Sequence, residues 1–377
     1  MPTSLYIHVP FCVVKCGYCD FNSYEVDGTA PLVDFIKALD GELELAEAPA
    51  VPSSVFIGGG TPTYLDEQRF IAMFEVIGRH VDLHAVDEVT MEANPESVTP
   101  AKAEIAYAAG VNRVSIGAQT FSAELLSFLD RAHSAQQTRS AVEVMRGAGF
   151  QNVSLDLMFG LPGQSLTQWE ADLSAALELQ PSHLSCYSLT FEPGTRLERD
   201  RRRGDVRPID TDVDREMFLR TREVLEGEGF EAYEVSNFAG DGGPCHHNDH
   251  YWLQGNYVGV GPGAASHHDG QRTTNLKALS AWSNAVHNGT LPVGQAETLT
   301  SSHRLREALW LGLRRSAGVD VKAAEARLRE PLPDSLSSLL QGLVTAGLAS
   351  FDGQTLALTR DGLLHADSIG AEVLQAS

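Results

Sequence analysis

An α/β fold built on parallel strands, followed by a smaller helical unit, is what the 377 residues predict. Three observations carry that reading. Short apolar, β-branched runs alternate with longer amphipathic segments from Leu5 to Leu189, the pattern of repeated strand–helix units with right-handed crossovers. Glycines and polar residues gather where several of those runs end, which in a βα barrel is the site-bearing face. After about residue 190 the alternation stops, and helical periodicity returns from Leu305 onward. A barrel, a partial barrel and an open doubly wound sheet all fit this pattern.

The elements follow in order. Leu5–Val9, Val55–Gly58, Glu88–Glu92, Arg113–Gly117, Val153–Met158 and His183–Leu189 read as strands. Between them, apolar residues recur at helical spacing. Leu32, Phe35, Ile36, Leu39 and Leu43 form one such set, and Phe70, Phe74 and Ile77 the next. Leu125, Leu126 and Leu129 follow, then Val142 and Met145, then Trp169, Leu173, Ala176 and Leu177. Residues 191–209, rich in Pro, Gly and Arg, look like a long loop; Arg199, Arg201, Arg202 and Arg203 crowd within it. A helix is expected over Asp212–Glu226 and a strand over Tyr233–Asn237. Helices at Leu305–Leu313, Val321–Leu328 and Ser335–Ala346 lead to strands Leu348–Phe351 and Thr355–Leu358 around a turn, then to a last helix. Helices ending in a small hairpin resemble a winged-helix module. Trp310 fits a helix core. The expected division is residues 1–275 and 276–377.

Composition narrows the function. The chain carries 28 Lys and Arg against 50 Asp and Glu, a net charge of −22. Such a surface repels phosphate backbones, so nucleic acid is not an expected partner. Met1-Pro2-Thr3-Ser4 runs straight into an apolar strand pattern, unlike a signal peptide. No apolar run approaches the roughly 20 residues of a membrane helix. The expected location is the cytoplasm, where thiols stay reduced and clustered cysteines mean metal or catalysis.

Three of the five cysteines, Cys12, Cys16 and Cys19, fall in the spacing C-x3-C-x2-C just after the first strand. Three thiolates can hold a 4Fe–4S cluster while leaving one iron without a protein ligand; a zinc site completed by His8 or Asp20 is the alternative. Gly58-Gly59-Gly60-Thr61-Pro62 ends the second strand. Glycines there let a ligand approach the backbone, and exposed N–H groups could receive a carboxylate. Glu92, Gln119 and Asp156 recur at later strand ends, with Arg131 on a crossover segment. Cys186, in an apolar run, reads as an inert buried thiol. Farther on, Cys245-His246-His247-Asn248-Asp249-His250-Tyr251-Trp252 offers thiol and imidazole groups suited to heme iron. Its Tyr and Trp faces suit a porphyrin, although a histidine-rich loop that merely packs on the barrel is the alternative. The glycine-rich turn Gly259–Ser266 follows, with His267 and His268 after it.

The cysteine loop, the glycine turn and the strand-end polar residues together resemble the radical S-adenosylmethionine superfamily. Leu5-Tyr6-Ile7-His8-Val9-Pro10-Phe11-Cys12, Gly117-Ala118-Gln119-Thr120-Phe121 and Asp156–Gly163 resemble, more narrowly, the oxygen-independent coproporphyrinogen III oxidase group. The resemblance implies a partial (β/α)6 TIM-type barrel with a C-terminal helical, winged-helix-like domain. It implies a 4Fe–4S cluster on Cys12, Cys16 and Cys19, and S-adenosylmethionine held around Tyr6, Tyr18, Gly59, Gly60, Thr61, Glu92, Gln119, Arg131 and Asp156. Coproporphyrinogen dehydrogenases carry a further cysteine two positions after the third, where this chain has Phe21. They also carry a longer segment before the motif. Both departures are similar to the HemW-type heme chaperones, as is His247-Asn248-x-x-Tyr251-Trp252 preceded by Cys245. That branch implies heme as a ligand and cargo, with Cys245, His247, Asn248, Tyr251 and Trp252 around it. It implies delivery to a heme-acceptor protein such as a membrane-bound respiratory enzyme, with a peripheral place at the membrane and a homodimer compatible with it. Coproporphyrinogen dehydrogenase activity is not expected, radical turnover is left open, and oxidative decarboxylation of coproporphyrinogen III is the alternative function.

Overall fold

The computed structural model describes residues 3–26 and 28–376, so Met1 and Pro2 lie outside the described residues. Six strands run parallel in chain order: β1 (Thr3–Val9), β2 (Val55–Gly59), β3 (Val89–Ala93), β4 (Arg113–Gln119), β5 (Asn152–Phe159) and β6 (His183–Ser188). Helices between them, including Ala30–Leu45, Glu67–His80, Ala135–Gly147 and Leu166–Glu178, cover the outside. Both faces of the sheet are covered: all seven residues of β4 are buried, with Val114, Ile116 and Ala118 in the hydrophobic core and Arg113, Ser115 and Gln119 on the other face.

The sheet continues at both ends. β7 (Glu231–Ala232) and β8 (Asn237–Ala239) add antiparallel to β6. On the other side β9 (Asn256–Val260) lies parallel to β1, and β10 (Ala265–His268), β11 (Gln271–Asn275) and β12 (Val293–Thr298) extend it antiparallel. The twelve-strand order is β12-β11-β10-β9-β1-β2-β3-β4-β5-β6-β8-β7. Among the described residues its two ends are not paired with each other, so the barrel is partial.

Three expectations change. The segment read as a long loop over 191–209 contains a helix, Arg196–Arg203. Thr195 caps its start, Glu198 pairs with Arg201 and Arg202, and Gly204 closes it at φ 81°. The strand read over Tyr233–Asn237 is the turn of a tight hairpin, and its flanks form β7 and β8. The division read at residue 275 falls inside the first core, because Trp282 and Val286 belong to it and β12 carries the sheet to Thr298. A buried carboxylate, Glu42, fixes that arrangement. It accepts bonds from the Gly261 N–H at 2.7 Å, the Trp282 indole at 2.7 Å and the Asn275 amide at 2.5 Å.

The second core starts at Leu305. Helices Ser301–Leu313, Val321–Leu328, Asp334–Thr345 and Ala366–Gln375 surround a small sheet of β13 (Val319–Asp320), β14 (Ala349–Phe351) and β15 (Thr355–Leu358), ordered β13-β15-β14. Trp310 is half-buried: it packs on this core and against Gly370 of the last helix, as the sequence suggests, and its remaining surface borders a cavity. Asp249 clasps the two units through a two-pronged pair with Arg315, at 2.7 and 3.1 Å. Arg314 lies 5.0 Å over the Trp252 ring. Arg315→Ala is expected to cost about 2 kcal/mol by stranding the partly buried Asp249. Urea denaturation checks the cost, and faster proteolysis between residues 299 and 320 checks its location.

Candidate cofactor site

The cysteine loop begins where β1 ends. A bridge between Phe11 and Tyr24, with the Cys12 N–H donating to Tyr24 O at 3.1 Å, ties its base. The Gly17 N–H donates to Asp130 at 3.1 Å and the Gly17 carbonyl accepts from the Leu197 N–H at 2.9 Å, which holds its far end. Cys12, Cys16 and Cys19 line one small cavity of about 130 Å³ over the C-terminal ends of β1 to β5. All three are partly exposed. Burial pushes the Cys12 thiol up, and the Cys19 thiol up to about 11. A cluster that binds there displaces those protons. Among the described residues no three His, Cys, Asp or Glu side chains converge on a single-ion position. A cube-shaped cluster takes each thiolate on a different iron, so sulfurs spread around one cavity suit it, and the donor set fits.

The other strand ends converge on the same cavity. Glu92 accepts from the Gly59 N–H at 2.8 Å. Burial holds its carboxyl up to about 7, and the nearby Asp156 adds to the effect against the pull of that N–H. Asp156 accepts from the Ser115 hydroxyl at 2.9 Å, and burial raises its carboxyl too. Gln119 sits at φ 62°, where the β4–β5 register shifts. This is a left-handed backbone conformation that non-glycine residues seldom adopt. Arg131 reaches in from its crossover segment. It donates to Asn94 at 2.7 Å and Gly117 O at 2.9 Å, and its guanidinium lies 3.7 Å from Cys16 Sγ. Tyr18 lines the same space.

The glycine turn works differently from its sequence-based reading. Its N–H groups are spent: Gly59 on Glu92, Gly60 on Val9 O at 2.8 Å, Thr61 on Phe11 O at 2.7 Å. They receive no external carboxylate. A Cβ on Gly60 would meet the Val9 and Phe11 backbone at 2.6–2.8 Å, so glycine is needed for strand contact. Thr61 Oγ1 stands 3.5 Å from Cys12 Sγ and accepts from Asn94 at 2.7 Å. Asn94 thus bridges Arg131 and Thr61. Sequence reasoning did not single it out, although it lies two residues after Glu92. Tyr6 does not line this cavity. Its hydroxyl is 2.8 Å from His8 Nδ1, and it borders a larger neighbour of about 790 Å³ that shares Lys15 and Phe21.

The second signature folds as the short helix His246–Trp252 beneath the opposite, N-terminal ends of β2 and β3. Glu88 caps it, accepting from the His246 and His247 N–H groups at 2.8 and 2.9 Å and lying 3.5 Å from the Cys245 sulfur. Cys245 is fully buried. His247 is 1 % exposed, and its ring nitrogens sit 2.9 Å from the Ser54 and Tyr251 hydroxyls. Burial holds the imidazole down to about 3, so it is neutral. As placed, neither Cys245 nor His247 offers a free donor to iron. Asn248 is half-buried on the same helix, Trp252 serves the clasp, and Tyr251 alone faces the larger cavity.

Residues 6–176 match the family model of the Radical SAM superfamily, and residues 299–365 that of the HemN C-terminal domain. The heme chaperone HemW of Bacillus subtilis is 35 % identical over 99 % of this chain and 98 % of its own. That of Escherichia coli is 42 % identical over 70 % of this chain and 69 % of its own. Among solved structures, coproporphyrinogen III oxidase (HemN) from Escherichia coli superposes with a TM-score of 0.86 over 99 % of this chain and 90 % of that one. At 21 % identity that match speaks for the fold alone. Similarity of this extent to HemW proteins decides the family: the chain belongs to the HemW heme chaperones, within the radical SAM superfamily.

Proposed function

We propose that this protein binds heme and passes it to an acceptor protein, with a 4Fe–4S cluster on Cys12, Cys16 and Cys19 and S-adenosylmethionine beside it. The observation that carries the reading is similarity to heme chaperones along the whole chain, through both cores. Phe21, where decarboxylating enzymes of the group have cysteine, supports it. When bound and reduced, the cluster supplies an electron able to cleave S-adenosylmethionine. Arg131 is suited to the carboxylate of that molecule. Glu92, Gln119 and Asp156 are suited to its ammonium, ribose and adenine donors, while Tyr18, Gly59, Gly60 and Thr61 shape the wall. The acceptor in this proposal is a membrane respiratory enzyme, met from the cytoplasmic side, and the carrier acts as a monomer or homodimer.

Anaerobic titration of the reconstituted protein with hemin tests this. A Soret-type complex is expected, and no protoporphyrinogen from coproporphyrinogen III with S-adenosylmethionine and reductant. Decarboxylation at a catalytic rate would sink the carrier reading in favour of the oxidase.

The pH dependence of S-adenosylmethionine binding tests Glu92. Its carboxyl, held up to about 7, is largely protonated at pH 6 and ionised at pH 8. Only the ionised form attracts an ammonium, so affinity is expected to rise about tenfold from pH 6 to pH 8. Glu92→Gln should flatten the profile at its low-pH level. A wild-type affinity independent of pH would remove Glu92 as the receiving group.

A further inference from the structure

The 790 Å³ cavity lies between β1 and β9–β11 on one side and the helix Ser301–Leu313 on the other. Its volume is that of a cofactor pocket. Phe21, Tyr251, Tyr257 and Trp310 give it aromatic walls, and Phe21 is 56 % exposed at its edge. Its charge is out of keeping with the chain. Only five lysines occur in 377 residues, and two of them, Lys15 and Lys277, line this cavity. Among the described residues neither has a carboxylate within ion-pair distance; the Lys15 ammonium donates only to Phe21 O, at 3.1 Å. Asp20 faces the same space, while Arg272 and Glu307 neutralise each other at 2.8 Å. Flat apolar walls with two unpaired ammonium groups suit a planar macrocycle bearing two carboxylates.

The groups able to ligate iron can be sorted by their partners. The His8 ring nitrogens are taken by Tyr6 and by Asn22 O, both at 2.8 Å. Those of His267 are taken by Gly255 O at 2.9 Å and the Gly270 N–H at 3.1 Å. The Tyr6 and Tyr251 hydroxyls bond His8 and His247. The Tyr257 hydroxyl has no hydrogen-bond partner among the described residues. Tyr257, His267 and Arg272 stand opposite one another across β9, β10 and β11, on one face of the sheet. Burial raises the Tyr257 phenol, and Arg272, itself paired with Glu307, offsets only part of that, so a bound metal would have to displace the proton.

We propose that this cavity is the seat of the iron tetrapyrrole, with its propionates on Lys15 and Lys277 and its ferric iron on Tyr257. Tyrosine is an established heme ligand type. It coordinates as phenolate, its proton passing to solvent. The helix His246–Trp252 then supports the seat through Tyr251 and does not ligate the metal. The inference rests on the heme reading and deepens it.

Hemin titration of the full chain tests it, with folding checked by circular dichroism. Lys15→Ala/Lys277→Ala is expected to weaken hemin binding about tenfold or more through loss of two charge-assisted contacts. Tyr257→Phe should keep the fold but lose the wild-type Soret and charge-transfer bands. His247→Gln, which can still bond Ser54, should keep them. A double variant that binds hemin as tightly as wild type overturns the seat. A wild-type spectrum in Tyr257→Phe, or its loss only in His247→Gln, overturns the ligand. If wild-type protein binds no hemin at all, the heme reading itself fails.

Discussion

Cys16→Ser is expected to reduce the iron and acid-labile sulfide of the reconstituted protein to background while leaving the fold intact. Three thiolates are the fewest that can hold a 4Fe–4S cluster with one open iron, and a serine hydroxyl is a poor substitute for a thiolate. The fold does not depend on the sulfur. The loop is fixed by backbone contacts at Cys12, Gly17 and Cys19, and Cys16 itself is partly exposed. Hemin binding should survive, because the aromatic cavity contains no cysteine. Simultaneous loss of cluster and heme would contradict two separate sites. Cys186→Ala serves as the control: that thiol is buried, burial raises it, and its loss should leave iron content unchanged.

Glu42→Ala is expected to be the most destabilising single change, by about 3–5 kcal/mol, because three buried donors lose their acceptor at once. That is a large share of the stability of an ordinary protein. The helix Ala30–Leu45, the Gly261 turn and the helix Leu279–His287 would loosen together. Urea denaturation followed by circular dichroism measures it. Glu42→Gln should recover much of the loss, since one amide oxygen still serves Gly261 and Trp282. The same residue sets a pH dependence. Burial holds the carboxyl up to about 7 in the folded chain against 4.5 ordinarily. The folded state therefore keeps a proton that the unfolded chain has released. Its contribution is fully present below about pH 4.5 and is lost as pH rises through 7. Wild-type stability should fall from pH 5 to pH 8 more steeply than that of Glu42→Gln; equal slopes would show that Glu42 does not titrate there.

Sequence patterns located the six parallel strands because each carries apolar residues at alternate positions, as in Leu5, Ile7 and Val9 or Val114, Ile116 and Ala118, and is separated from the next by a long amphipathic segment. They located the cysteines and the strand-end carboxyls for the same reason: chain topology alone carries such residues to one end of the sheet. What they missed depends on contacts distant in sequence. Asn94 matters only through Arg131 and Thr61. The glycine turn reads as a row of free donors until β1 is laid beside it. The helix Arg196–Arg203 was hidden by its arginines, although Thr195 followed by Glu198 was a readable cap. His247 and Cys245 carried the chemistry of ligands, and only burial against Ser54 and Glu88 assigns them to the barrel's underside.

The central position of β1 has a consequence for synthesis. Its second neighbour, β9, pairs Thr3 with Asn256. At about 5–20 residues per second, roughly 10–50 s separate the emergence of these two partners from the ribosome. Throughout that interval one edge of β1 is an unprotected, apolar ribbon. The aromatic cavity, walled by β9 to β11 and by the helix Ser301–Leu313, cannot exist before the chain is nearly finished. The three cysteines and strands β1 to β5, by contrast, have all emerged by Phe159, and Leu197, which holds the far end of their loop, follows soon after. The order of translation therefore completes the cysteine-lined cavity ahead of the aromatic one.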